Sequence, residues 1–484
     1  MGRGRFHCLV GTQETEFPHT AFLTICFTGA DVRHSGSSFQ EAQLEMSITV
    51  AIVGSGPAAF YAAEALLKTC DSCEIDIIER LPTPYGLIRG GVAPDHESTR
   101  NVAKKYERTA MADEVCYYGN VEINRDVSLD ELRELYDAVI LAIGAPKDRV
   151  LTIPGADKHG VFGAAAFVGW YNGHPDFHQL DPDLNIATVA VIGIGNVAID
   201  VARMLVRSRQ VLEATDVPSY ARDKIAAAPI TDVYLYGRRG PVEAKFTHVE
   251  FRELGELEQA AALARAEQLP EDPEAALAGY EGREQRLRER NLATLREYTT
   301  VRPDAKPKRI HFEFFAQPVE VLGGERVEGL RLERTRVVDG RAEGTGETFD
   351  VSCGMIVTAI GYRADPLDGA PYDENSGIIP NDDGRVDHGL YAVGWIKRGP
   401  SGVISSSRPD GKTVASYIHE DFDAAQSDKP GRAGLEKLLK QRGIRHVTFE
   451  DWKKLEALEI SAAEHGAPRR KFVSVEEMMT ALDG

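Results

Sequence analysis

The chain has 484 residues, 43% of them hydrophobic and 27% charged, with a formal net charge of −19. That length suits two or three domains, and the acidic balance excludes general nucleic-acid binding, which needs a basic field. No run approaches the roughly 18 apolar residues that a membrane helix requires, so no integral membrane segment is expected.

The leader 1–46 contains Cys8 and Cys26, mixed charges and no clear periodicity. It lacks the basic start and small-residue cleavage site of a secretory signal. It has more acids than bases, unlike a mitochondrial presequence. It reads as a disordered extension, or as the product of a start codon assigned too early, with Met46 as the true start. Six cysteines in a chain of this length suggest a reducing compartment: the cytoplasm, or the mitochondrial matrix in a eukaryote.

Val50 to Gly54 reads as a short buried strand, 57–68 as a helix, and Ile75-Asp76-Ile77-Ile78-Glu79 as a second strand. The turn Gly54-Ser55-Gly56-Pro57-Ala58-Ala59 lies between the first two. A glycine turn there lets the backbone approach a pyrophosphate at a helix N-terminus, and an acid ending the next strand binds a ribose. Glu79 stands at about that distance. The glycine spacing alone is a weak signal; strand before, helix after and acid beyond make it specific. Leu81 to His96 is rich in Pro and Gly and reads as a long rigid loop, of a kind that is usually functional beside a cofactor. Residues 97–112 read as an amphipathic helix, and Asp137 to Ala145 as another buried strand ending in glycine.

The pattern restarts over 185–206, with Gly193-Ile194-Gly195 leading into a helix from Asn196 to about Val206. Two copies of one signal predict two nucleotides. The strand Val233–Tyr236 ends in Gly237-Arg238-Arg239-Gly240, with two arginines in place of an acid. A carboxylate would repel the 2′-phosphate of NADP, whereas a guanidinium grips it with two parallel hydrogen bonds. This second turn is therefore assigned NADP. The spacing from Gly193 is longer than usual, so an insertion around 207–230 must loop out.

Residues 251–300 read as helices with a loop near Pro270–Pro273, and 310–350 alternate like antiparallel strands. Met355 to Tyr362 matches the Val139–Gly144 strand in style and reads as a return to the first domain. The stretch from Leu390 to Ile404 then makes a Gly-rich turn into helix-start residues at Ser405–Ser407, Pro409 and Asp410. Amides at a helix N-terminus favour negative charge, which suits the charge of a reduced flavin.

Together these stretches resemble the ferredoxin–NADP reductases of the adrenodoxin reductase type. The matching residues are GSGPAAFYAAEALLK, ERLPTPYGLIRGGVAPDH, FVGWYNGHP, GNVAIDVARMLV, GRRGPVEAKFT, VGWIKRGPSGVI and the tail GRAGLEKLLKQRGIRHVTFEDWKKLEA. The resemblance covers about 46–484. It implies an α/β fold of two Rossmann-like dinucleotide-binding domains, the two-domain flavoprotein plan of glutathione reductase, with the NADP domain inserted into a discontinuous FAD domain. The corresponding division is 1–46 extension, 47–147 first part of the FAD domain, 148–350 NADP domain, and 351–484 second part of the FAD domain with C-terminal helices.

For the sites, the resemblance implies FAD on Gly54, Gly56, Ala58 and Ala59, with Glu79 on its ribose. Leu87 and Val121 are further FAD contacts, and Trp395 with the amides of Gly402, Val403 and Ile404 lies near the flavin ring. NADP lies on Gly195, Asn196 and Val197, with Arg238 and Arg239 on the 2′-phosphate, Glu250 as another contact, and Gly402 where nicotinamide meets flavin. His96 and Glu253 flank nicotinamide and flavin. Ile194 stands where the family is often polar, and Glu243 and Lys245 replace the usual small or amide residues after GRRGP. An extra carboxylate there bears on NADP affinity.

The implied reaction passes a hydride from NADPH to FAD and then single electrons to a ferredoxin- or adrenodoxin-like iron–sulfur protein. Hydride transfer itself needs no acid–base residue, so His96 is read as orienting the nicotinamide or relaying a proton. The cysteines have no cluster spacing, so the acceptor is a separate protein. Ferredoxins are usually acidic, and Arg203, Arg207, Arg209 and Arg398 are the candidate docking charges. A disulfide reductase of the thioredoxin-reductase type would need a dithiol facing the flavin, and Cys70-x-x-Cys73 lies at the wrong end of its crossover. A subunit resembling the small subunit of glutamate synthase would carry an N-terminal cysteine array, where this leader has only Cys8 and Cys26. A non-enzymatic flavin-binding protein would not be bleached by NADPH.

Overall fold

The computed structural model describes residues 47–244, 246–423, 427–464 and 466–484. The expectation for the leader 1–46 lies outside the described residues, as does Lys245.

Strand β1 (Ile48–Val53) is apolar and wholly buried, as a parallel strand covered on both faces must be. The helix Pro57–Thr69, with Pro57 at its first position, carries the chain over to β2 (Cys73–Glu79), which pairs in parallel with β1. β3 (Val115–Gly119) and β4 (Ala138–Leu141) flank this pair. The chain leaves along β5 (Lys147–Asp148) and starts a second sheet with β6 (Val161–Gly163), β7 (Thr188–Ile192), β8 (Asp232–Tyr236), β9 (Ala260–Ala264) and β10 (Lys308–Glu313). β11 (Ala316–Leu322), β12 (Gly329–Val338) and β13 (Arg341–Ser352) form a separate antiparallel meander. β14 (Met355–Thr358) enters the second sheet between β6 and β7. β15 (Tyr362–Arg363) runs back antiparallel to β5, and β16 (Arg385–Asp387) and β17 (Leu390–Ala392) complete the first sheet beside β4. The two sheets have the orders β16-β17-β4-β1-β2-β3 and β6-β14-β7-β8-β10-β9.

The placement of β14 corrects the expectation that 355–362 returns to the first domain. β14 is the second unit's counterpart of β4, and the sheet return comes only at β17. The same close approach marks both units. A Cβ on Gly54 (φ +100°) would lie 2.6 Å from the Ala142 carbonyl oxygen, just past β4. A Cβ on Gly193 (φ +128°) would collide with the Ala359 carbonyl oxygen, just past β14. The likeness between 139–144 and 355–362 is therefore real, and it reports equivalent positions in two sheets.

Other elements differ from the sequence reading. Ala260–Ala264 sits in a stretch expected to be helical, because Ala and Leu favour helix; it forms a strand because parallel pairing with β10 buries it. Residues 97–112 break into two helices, Glu97–Arg100 and Ala103–Ala110. The insertion after Val206 holds helices Arg209–Glu213 and Ser219–Ala227. Of the strands expected over 310–350, β10 is parallel and belongs to the second sheet.

The C-terminal tail locks the units together. Glu459, on the helix Phe449–Ser461, accepts from both Arg89 Nη atoms at 2.9 and 2.5 Å and from the Phe472 amide at 2.9 Å. Lys471 is buried and donates to the carbonyls of Arg89 (3.1 Å) and Asn172 (3.0 Å), with Asp216 at 3.1 Å. Arg100 reaches the same Asp216 at 2.5 Å, and the Val92 carbonyl and Asn172 side chain at 2.6 Å each. Burial pushes the Lys471 ammonium down to about 7 despite Asp216. Burial also opposes the Asp216 charge, yet Lys471 and Arg100 hold its carboxyl well below the usual range.

Candidate functional site

The first glycine turn is tied to its acid. Glu79 Oε2 accepts from the Ser55 amide (3.0 Å) and hydroxyl (2.7 Å), and Oε1 from the Leu81 amide (3.1 Å). A Cβ on Gly56 would meet nothing within 4 Å, and the helix it precedes has no side-chain cap. The first turn of a helix carries unsatisfied N–H groups, so this uncapped end, holding Ala58 and Ala59, faces open space fit for an anion. The rigid loop folds over the turn: the Tyr85 amide donates to the Ser55 carbonyl at 3.0 Å, and a Cβ on Gly86 would lie 3.0 Å from Gly56 Cα. Tyr85 has φ +84°, which is costly for a bulky residue and is typical of functional sites.

From the other side, Gly394 (φ +74°) comes so close to Ala58 that a Cβ would lie 2.6 Å from Ala58 Cβ. Its amide donates to Asp410 at 3.1 Å, and Lys397 and Arg398 donate to the same carboxylate. Trp395 packs against Tyr362 with centroids 6.0 Å apart. Leu87 (43% exposed) and Val403 (51%) present apolar side chains to solvent. The Val403 amide is occupied by Ser406 Oγ at 3.0 Å, so among the amides expected to face the flavin this one is already spoken for. Ile404 starts the one-turn helix Ile404–Ser407, and Gly402 has φ +84°. Val121 is buried and bonded through its amide to the Glu79 carbonyl at 2.9 Å.

In the second unit a Cβ on Gly195 also meets open space, before an uncapped helix Asn196–Val206 that includes Val197. Asn196 Oδ1 accepts from the Thr247 amide at 2.8 Å, fixing the start of the helix His248–Glu253. The arginine turn is pinned from behind. The Phe315 and Ala316 amides donate to the Arg239 (3.2 Å) and Gly237 (3.0 Å) carbonyls, and Thr335 Oγ1 to the Arg238 carbonyl at 2.7 Å. The Arg238 side chain is exposed, that of Arg239 half-buried, and neither guanidinium is paired with an acid among the described residues.

His96 and Glu253 meet across the two units, Nε2 to Oε2, at 3.0 Å. Behind them Arg203, with no exposed side-chain surface, grips Asp95 through Nε and Nη2 at 2.9 Å each, and Arg207 adds bonds of 3.0 and 2.6 Å to that carboxylate. Arg203 Nη2 lies 3.5 Å from His96 Nδ1. Arginine only donates, so Nδ1 is the acceptor and Nε2 carries the N–H that Glu253 accepts. Burial opposes the Asp95 charge, but the two arginines hold its carboxyl far below the usual range. Burial pushes the neighbouring Asp200 up.

Three buried polar atoms here have no hydrogen-bond partner: Thr247 Oγ1, Glu250 Oε2 and the Tyr171 hydroxyl. Asp200 Oδ1 and Arg203 Nη1 also make no hydrogen bond, although Asp200 Oδ1 lies 2.9 Å from Arg203 Nη2 and Arg203 Nη1 lies 3.9 Å from Glu253 Oε2. Such orphans are costly and rare in native interiors. They suit a ligand bearing hydroxyls and a carboxamide, and the open glycine turns suit its phosphates. The residues present therefore fit two dinucleotides.

Of the candidate docking charges, Arg203 and Arg207 face inward, whereas Arg209 stays exposed in a surface ion pair. Arg203 is buried, Arg207 is spent on Asp95, Arg209 sits on Asp223 at 2.8 Å, and Arg398 on Asp410 at 3.1 Å. The helix Gly282–Thr299 carries three exposed arginines without an acid partner among the described residues, Arg283, Arg286 and Arg290, while Arg108, Arg341, Arg363, Arg408 and Arg470 are further such arginines scattered elsewhere. Cys70 and Cys73 are buried, and burial pushes the Cys73 thiol up to about 12. Cys70 caps the end of the helix Pro57–Thr69 and Cys73 opens β2, about 20 Å of strand away from Glu79.

A family model described as pyridine nucleotide-disulphide oxidoreductase matches residues 48–233. Mitochondrial NADPH:adrenodoxin oxidoreductase of Arabidopsis thaliana is 38% identical over 480 residues, covering 93% of this chain and 98% of that protein. NADPH-ferredoxin reductase FprA of Mycobacterium leprae is 40% identical over 449 residues, covering 89% and 97%. The solved structure of Mycobacterium tuberculosis FprA in complex with NADPH matches with a TM-score of 0.85 at 38% identity, covering 90% of this chain and all of that one. With near-complete coverage on both sides, the chain belongs to the family of NADPH:adrenodoxin oxidoreductases and NADPH-ferredoxin reductases.

Proposed function

We propose that this protein is an FAD-dependent oxidoreductase that takes a hydride from NADPH and delivers single electrons to a ferredoxin- or adrenodoxin-like iron–sulfur protein. The observation that carries the reading is the pair of equivalent glycine turns, one beside Glu79 and the other beside the unpaired Arg238 and Arg239. Bound FAD supplies the conversion of a two-electron donor into one-electron steps.

The chain's own part is binding and orientation. The turn at Gly54, Gly56, Ala58 and Ala59 holds the FAD pyrophosphate, with Glu79 on the ribose and Leu87, Val121, Trp395, Gly402, Val403 and Ile404 along the rest. Gly195, Asn196 and Val197 hold the NADP pyrophosphate, Arg238 and Arg239 the 2′-phosphate, and Glu250 a ribose or amide group. The Asp95–Arg203 pair keeps His96 in the tautomer that donates to Glu253, which fixes both side chains where nicotinamide and flavin meet. Arg283, Arg286 and Arg290, without an acid partner among the described residues, offer an acidic partner a basic face on an otherwise acidic chain. The cysteine usage supports the cytoplasm, or the mitochondrial matrix in a eukaryote; no helix among the described residues is long and apolar enough to cross a membrane.

Stopped-flow mixing tests the proposal. NADPH should bleach the flavin band of the purified yellow protein, and a ferredoxin should restore it in one-electron steps. A flavin left unbleached by NADPH, or bleached but reoxidised only by disulfides, would sink it.

A further inference from the structure

We propose that Glu243 sets the coenzyme preference: its carboxylate opposes the 2′-phosphate of NADPH and accepts the ribose 2′-hydroxyl of NADH, making NADH a second hydride donor for this enzyme. The inference rests on the reading that Arg238 and Arg239 hold the 2′-phosphate.

The geometry around the turn is compact. Gly237 is covered by the Ile194 side chain from the second glycine turn, and Gly240 by the Phe315 ring, whose Cζ lies 2.7 Å from where a Cβ would be. Glu243 Oε2 lies 3.0 Å from that same point. The carboxylate therefore rests on the arginine turn itself, next to the coenzyme's expected ribose. It is half-buried and has no cationic or hydrogen-bonding partner among the described residues. The backbone that carries it is anchored. Pro241 opens the one-turn helix Pro241–Glu243, and Arg288 Nη1 anchors that turn by donating to the Val242 carbonyl at 2.5 Å.

The chemistry is that of two opposed recognition devices on one loop. Guanidinium groups select a phosphate, and a carboxylate selects a ribose hydroxyl and repels a phosphate. A 2′-phosphate carries nearly two negative charges, so a carboxylate on the same turn should weaken NADPH binding about five- to tenfold in a water-exposed site. The same carboxylate, with no partner among the described residues, accepts the hydroxyl that NADH presents there. The redox balance is that of the NADPH reaction: NADH gives up one hydride and becomes NAD⁺, two one-electron acceptors are reduced, and one proton is released.

Steady-state kinetics with NADPH and with NADH, using ferricyanide as acceptor, test the proposal on the flavin-loaded protein. Glu243→Gln removes the charge, and Glu243→Ala removes the acceptor as well. The KM for NADPH should fall about five- to tenfold in both, while the KM for NADH rises in Glu243→Ala. A structural defect would move both constants in one direction; that result, or no change, overturns the inference. An Arg238→Ala, Arg239→Ala double variant separates the underlying reading. It should raise the KM for NADPH and leave that for NADH. If it leaves NADPH untouched, the phosphate assignment fails and the proposal falls with it. If it behaves as expected while the Glu243 variants do not, the role of Glu243 alone is wrong.

Discussion

Replacing Asp216 by Asn tests the clamp that joins the two nucleotide units to the C-terminal tail. The carboxylate is buried and faces two cations, Arg100 at 2.5 Å and Lys471 at 3.1 Å. Breaking one partner of a buried ion pair leaves an uncompensated charge and costs about 3–5 kcal/mol. For a chain of this length the unfolding entropy is roughly 1 kcal/mol per kelvin, so the melting temperature should drop by about 3–5 °C. The loss should depend on pH. Lys471 sits at about 7 in the folded protein, below its unfolded value of about 10.4. The unfolded chain therefore binds more protons between these values, and stability rises with pH across that window. Without Asp216 the Lys471 value falls further, so the deficit is full at pH 6 and shrinks by pH 9, where Lys471 is neutral in both folded proteins. Differential scanning calorimetry of the flavin-loaded wild type and Asp216→Asn at both pH values reads this directly. Equal melting at pH 6, or a deficit of the same size at pH 6 and 9, would refute the reasoning.

Gly54→Ala and Gly193→Ala should each cost about 2–4 kcal/mol, since both sites combine a positive φ with a Cβ driven into a carbonyl oxygen. Gly54→Ala should purify with less bound flavin; Gly193→Ala should stay yellow but show a raised KM for NADPH. Cys70→Ser with Cys73→Ser should leave electron transfer to ferredoxin intact, measured by cytochrome c reduction, because the thiols are buried at the end of the helix Pro57–Thr69 and the start of β2, away from Glu79. Charge reversal at Arg286 and Arg290 should lower ferredoxin turnover and flatten its salt dependence while ferricyanide reduction stays normal; unchanged salt dependence places the docking surface elsewhere.

What was legible in the sequence was local. A strand, a glycine turn, a helix and the residue ending the next strand lie within one stretch of chain, and Gly54 with Glu79, or Gly193 with Arg238, can be read together. The tertiary facts were not legible in this way. Arg203 looks like a surface charge on an amphipathic helix, and only its pairing with Asp95, 108 positions away, turns it into a buried strut for His96. The Asp200–Arg203 spacing and the acid before His96 were the available signals, and neither names its partner. Ala260–Ala264 has helical composition, and its strand character comes from β10 alone. Met355–Thr358 resembles β4 in sequence yet pairs in the other sheet, because a buried parallel strand carries no mark of which sheet it joins.

The placement of β17 against β4 sets the order in which this chain can fold as it leaves the ribosome. The second sheet, over 161–358, is one continuous stretch. The first sheet is started by β1 and left with an open edge at β4 until Leu390–Ala392 is made. About 250 residues separate the two, which is roughly 12–50 s of translation. The unit that begins first is thus finished last, around a neighbour that is already folded, and the tail bearing Lys471 closes between them only after both exist.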